Sequence, residues 1–131
     1  MKVPQQLIDE MVAHARDDAP NECCGMVGGN DGDARTVYRA ENAEASPLRY
    51  SIDAAEQFRL MKEIEGAGEE LVAIYHSHTK SAAYPSQTDV NLAGWPDAVY
   101  LIVSLADPEA PDVKGFWIRD GGISDAELDV A

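Results

Sequence analysis

Residues 98–105 read Ala-Val-Tyr-Leu-Ile-Val-Ser-Leu, and this stretch limits the fold more than any other. A nearly continuous apolar run of that length, rich in β-branched residues, is the pattern of a strand covered on both faces. Such a strand needs a sheet with a packed layer above it and another below. Leu71-Val-Ala-Ile-Tyr75 repeats the apolar pattern and continues into His76-Ser-His78, where it turns polar. The covering layers are amphipathic helices. From Pro4 to Asp18, Leu7, Ile8, Met11, Val12 and Ala15 recur at helical spacing, and Pro20 closes the segment. From Asp53 to Glu65, Ala54, Phe58, Met61 and Ile64 form a second stripe, with Asp53 as its N-cap and Gly66-Ala-Gly68 as its end.

The remaining segments supply strands. Glu22 opens the apolar stretch Cys23-Cys-Gly-Met-Val27, a glycine-rich turn covers 28–33, and Thr36–Ala40 is the hairpin partner. Leu48–Ile52 reads as a further strand, and so does Lys114–Arg119 between its glycines. The tail from Asp125 to Val130 either extends a strand or frays. The pattern predicts one α/β domain over 1–131, with helices packed on a mixed sheet.

Composition narrows the function classes. A net charge of −14, from 10 basic and 24 acidic residues, argues against nucleic acid, which needs a basic face to neutralise phosphates. No apolar run approaches the roughly 20 residues needed to span a bilayer, and the first fifteen residues lack the unbroken apolar core of a signal peptide. The expected location is the cytoplasm, with no membrane partner. Cys23 and Cys24 are adjacent, which strains a disulfide; on a strand they send one thiol to each face.

His76 and His78 stand two apart on a predicted strand, so both imidazoles leave the same face at its C-terminal end. After seven intervening residues Ser86-Gln-Thr-Asp89 begins a short helix, with Asp89 one turn in. Two histidines and a carboxylate are three ligands for a metal with a fourth position open, the arrangement of catalytic zinc sites. Zinc held this way makes a water nucleophilic near neutral pH. Hydrolysis also needs a carboxylate that is not a ligand to move the proton, and Glu22 is the candidate. Plainer roles exist for each residue. Ser86 and Asp89 also form an S-x-x-D helix start, Glu22 can be a solvated residue opening a strand, and His14 reads as a surface or edge residue of the first helix.

His76-Ser-His78, seven residues, Ser86, two residues and Asp89 resemble the H-[ST]-H-x(7)-S-x(2)-D signature of the JAMM (MPN+) metalloproteases. Pro20-Asn-Glu22-Cys-Cys-Gly25 is similar to the glutamate segment of the same family. The resemblance implies a cytidine-deaminase-like sandwich of the JAB1/MPN type, zinc on His76, His78 and Asp89, and Glu22 as general acid/base. Ser86 would then orient the water or stabilise the oxyanion. The proximity of Glu22 to the metal comes only from this resemblance.

The resemblance further implies cleavage after the Gly-Gly tail of a ubiquitin-like protein. The compact chain is most similar to small bacterial members that release cysteine from a sulfur-carrier protein in cysteine biosynthesis. A bacterial isopeptidase acting on lysine conjugates, and a non-catalytic module binding a ubiquitin-like tail, are the other expectations. Thr79 follows His78 where many relatives carry proline.

Overall fold

The computed structural model describes residues 1–131. In chain order the elements are β1 (Lys2–Val3), α1 (Gln5–Asp18), β2 (Cys24–Asn30), β3 (Asp33–Ala40), α2 (Ala54–Gly66), β4 (Glu70–His78), α3 (Gln87–Leu92), β5 (Val99–Ser104), β6 (Asp112–Arg119), β7 (Gly122–Ala126) and β8 (Asp129–Val130). Six strands form one sheet in the order β3-β2-β4-β5-β6-β7, and β1 pairs with β8 in a small parallel ribbon. Only β4 and β5 run parallel within the large sheet, and α3 lies in the crossover between them.

The two apolar runs are the central strands. Every residue of β5 is buried, which is what an uninterrupted run must be when both sheet faces are covered. One face packs under α1, joining Leu7, Met11 and Ala15 to Cys23, Val27, Tyr75, Leu101 and Val103. The other packs under α2, where Leu60 and Ile64 meet Cys24 and Met26. The vicinal thiols therefore go to opposite faces, as the alternation predicts, and both are free. Asp53 caps α2 by accepting from the Ala55 amide. No helix is long and apolar enough to cross a membrane.

Two expectations are corrected. Leu48–Ile52 is not a strand: residues 41–53 form an irregular segment with no sheet partner. Its alternating residues carry Tyr50 and Ile52 onto the α2-side core rather than into a ladder. His14 is not a surface residue but is buried, donating to or accepting from Tyr75 Oη through Nδ1 at 2.6 Å. A polar residue inside an apolar stripe looks solvated in sequence, but Tyr75 across the interface and Asp18 one turn on, 3.3 Å from Nε2, satisfy both ring nitrogens. Boundaries also move: Gly28–Asn30 belong to β2, Asp33–Arg35 belong to β3, and the tail resolves into β7 and β8.

Candidate metal centre

β4 delivers the histidines. It is hydrogen-bonded to β2 on one side and β5 on the other, so its last residues emerge from the sheet with little freedom. His76 and His78 leave on one face, and their Nε2 atoms lie 3.2 Å apart. Asp89 Oδ2 is 3.1 Å from His76 Nε2 and 3.0 Å from His78 Nε2. All three residues are buried.

Asp89 is aimed by a cap. Ser86 Oγ accepts from the Asp89 amide at 3.1 Å, and Asp89 Oδ2 accepts from the Ser86 amide at 2.9 Å, completing a capping box at the start of α3. Capping and a ligating role are compatible in this geometry, since the oxygen that closes the cap also faces the two imidazoles. His78 is aimed by the loop that follows it: its Nδ1 donates to the Ala82 carbonyl at 2.9 Å when Nε2 presents its lone pair inward. The His76 ring lies flat against Tyr50, with centroids 4.6 Å apart and planes 22° from parallel.

Two imidazole nitrogens and a carboxylate oxygen, mutually 3.0–3.2 Å apart, fit a metal. A tetrahedral zinc site with ligands at about 2.0 Å has donor–donor edges of about 3.3 Å. A proton between the two rings satisfies one pair only; a divalent cation satisfies all three donors. These are the residues able to share one ion. Burial raises the Asp89 carboxyl, but hydrogen bonds from His76 and His78 outweigh it and hold the group well below the usual carboxylate range. Burial lowers His76. It also opposes protonation of His78, where the Asp89 and Ala82 hydrogen bonds prevail and raise the group.

Glu22 lies two residues before β2 begins. β2 pairs Cys24 with His76, and Cys23 is tied to Ser77 by a backbone bond of 3.1 Å and by its amide to Ser77 Oγ at 2.8 Å. Two residues further along this antiparallel register, Glu22 stands level with His78 and on the face of the two histidines. Its side chain is buried, and Oε1 has no hydrogen-bond partner. Burial pushes the carboxyl up to about 7, with His78 pulling it down and Asp89 pushing it up. The structure therefore brings together all five residues singled out in the sequence. The Tyr50 ring against His76 and the Ala82 carbonyl against His78 are not foreseen from the sequence. Ala82 falls among the seven unspecified positions of the signature, and Tyr50 lies in the expected strand that does not form.

Residues 4–119 match the family described as prokaryotic homologs of the JAB domain. The chain is 44% identical over 126 residues to the CysO-cysteine peptidase of Mycobacterium tuberculosis, covering 95% of this chain and 86% of that protein. It is 43% identical over 120 residues to the desampylase of Haloferax volcanii, covering 86% of this chain and 84% of that one. The crystal structure of a JAB1/MPN domain protein from Archaeoglobus fulgidus superposes with a TM-score of 0.64 over 99% of this chain and 98% of that chain, at 18% identity, a likeness of fold.

Proposed function

The chain belongs to the prokaryotic JAB family, has the JAB1/MPN sandwich fold and is a hydrolase of the JAMM peptidase type, and from that premise we propose that it is a zinc peptidase that cuts after the C-terminal Gly-Gly of a ubiquitin-like sulfur-carrier protein and releases cysteine. The observation that carries this reading is the triangle of His76 Nε2, His78 Nε2 and Asp89 Oδ2 beside a buried, partnerless Glu22 carboxyl oxygen. Zinc on His76, His78 and Asp89 would supply the Lewis acidity that makes a water nucleophilic near neutral pH.

The chain's own residues do the rest. Glu22 accepts the proton of the attacking water and returns it to the leaving amine; a carboxyl pushed up to about 7 is poised for both transfers near neutrality. The Ser86 hydroxyl spends a lone pair on the Asp89 amide and keeps its proton to donate to the water or to the developing oxyanion. The Ala82 carbonyl holds the His78 ring in one tautomer, and the cap holds Asp89 in one rotamer.

Likeness to a CysO-cysteine peptidase supports cysteine as the leaving group, and we place such a role in cysteine biosynthesis in the cytoplasm. Likeness to a desampylase supports a second reading, an isopeptidase that removes a ubiquitin-like protein from lysine side chains. Incubation of the purified chain with a carrier protein ending in Gly-Gly-Cys, and separately with the same carrier joined to lysine, tests the two. Release of free cysteine is expected; cleavage of the lysine conjugate with no cysteine released overturns the first reading in favour of the second.

A further inference from the structure

The Glu22 carboxyl has a demanding position and nothing that grips it. No side-chain hydrogen bond holds it, and Oε1 is buried without a partner, so its place is set by the backbone that carries it. That backbone is not in the sheet: β2 begins at Cys24, and its pairing with β3 ends at Cys24 opposite Ala40. Two residues beyond, where the ladder would continue with Asn42 opposite Glu22, the chain leaves the sheet and residues 41–53 fold back over this edge.

Asn42 takes over from the missing ladder. Its Nδ2 donates to the Glu22 carbonyl at 3.0 Å and to the Arg49 carbonyl at 3.0 Å. Its Oδ1 accepts from the Glu44 amide at 3.0 Å and the Ser51 amide at 3.2 Å. A carboxamide has two donor hydrogens and two acceptor lone pairs, so every one is used, and the four partners fix which end is nitrogen. The side chain is buried. The segment it ties together returns a second bond to the same residue, since the Glu22 amide donates to the Ser46 carbonyl at 2.9 Å. Both peptide groups of Glu22 thus hang from one irregular segment whose shape is closed by one asparagine.

We propose that Asn42 is the positioning residue for Glu22: its side-chain amide replaces the strand partner that Glu22 lacks and fixes the carboxyl beside the metal centre. This rests on Glu22 being the group that moves the proton. Asn42→Asp separates the two halves of the hub. It is isosteric and keeps an acceptor for Glu44 and Ser51, but loses both donors.

NMR on the metal-loaded protein should show the Glu22 carbonyl carbon signal displaced in Asn42→Asp, since that carbonyl loses its donor, with the Glu44 and Ser51 amides still protected from exchange. On a peptide ending in Gly-Gly-Cys, kcat should fall about 100-fold, the scale of an ångström-sized misplacement, with KM and bound metal unchanged. An unmoved Glu22 carbonyl signal, or a kcat within about twofold of wild type, overturns the proposal. Should the aspartate variant not fold, Asn42→Gln, which displaces the same groups by one methylene, is judged by the same readings. Glu22→Gln is measured alongside. Full activity there removes Glu22 from the mechanism, whereas an inactive Glu22→Gln beside a fully active Asn42→Asp removes only the role of Asn42.

Discussion

Cutting the buried contact between His14 and Tyr75 should destabilise the protein without touching the metal centre, and the size of the loss follows from the surroundings. His14 Nδ1 and Tyr75 Oη are 2.6 Å apart. His14 is 4% exposed and Tyr75 is fully buried, so water reaches neither group. His14→Leu strands the Tyr75 hydroxyl, and Tyr75→Phe strands the imidazole nitrogen. Each orphan costs about 1–3 kcal/mol, and at about 0.28 kcal/mol/K of unfolding entropy for a chain of this length a 2 kcal/mol loss lowers Tm by about 7 °C. The double variant leaves no orphan. It should be more stable than the sum of the single losses predicts, by about 1–2 kcal/mol.

Urea unfolding of the four proteins at pH 7.5 measures the cycle. Strictly additive losses would refute the claim that the two groups satisfy each other. The same histidine sets an acid limit. Burial pushes it below its ordinary value, against the pull of Asp18 and with help from Arg39. The unfolded chain takes up this proton near pH 6.5 and the folded chain only at lower pH. The contribution is intact above about pH 6.5 and is lost as pH falls toward the folded value. His14→Leu should therefore flatten the stability profile on its acid side, and an unchanged acid slope would show that His14 titrates alike in both states.

Glu22→Ala should retain its metal and lose most turnover, about 100-fold or more, whereas Asp89→Ala should lose the metal itself; elemental analysis beside a peptidase assay separates the two. Ser86→Ala removes the acceptor for the Asp89 amide and should cost about 1 kcal/mol in thermal unfolding, with weaker metal retention under a chelator titration; unchanged retention would mean the cap does not aim the ligand. Gly25→Ala should be strongly destabilising, because a Cβ there would lie 2.5 Å from Tyr75 Cζ and Oη. That ring is pinned by His14 and cannot move aside, so a loss of at least about 2 kcal/mol in urea is expected.

Residues whose role follows from a short-range period were legible in the sequence. Alternation put His76 and His78 on one face and sent Cys23 and Cys24 to two cores, and the Ser86-to-Asp89 spacing announced a capped helix that the structure contains. Residues whose role depends on a partner distant in sequence were not legible. His14 looks solvated until Tyr75, 61 residues on, is placed against it. Asn42 looks like any loop asparagine until Glu22 lies within reach. Tyr50 alternates as a strand residue does, yet its segment pairs with no strand, and its ring covers His76 instead. Glu22 is intermediate: the family resemblance supplied its neighbourhood, and the β2–β4 register supplies the physical reason.

The carboxylate of Asp89 is a helix cap and, in the proposed zinc site, also a ligand, which joins two events usually treated apart. A six-residue helix has almost no stability of its own. Here its first turn is closed by the same oxygen that faces the two imidazoles, so forming α3 and completing the donor set are one cooperative step. Binding energy for an ion held there would also be folding energy for residues 86–92. Depleting the ion should loosen that short segment first and leave the six-stranded sheet standing, making occupancy of the centre a local order parameter of the chain.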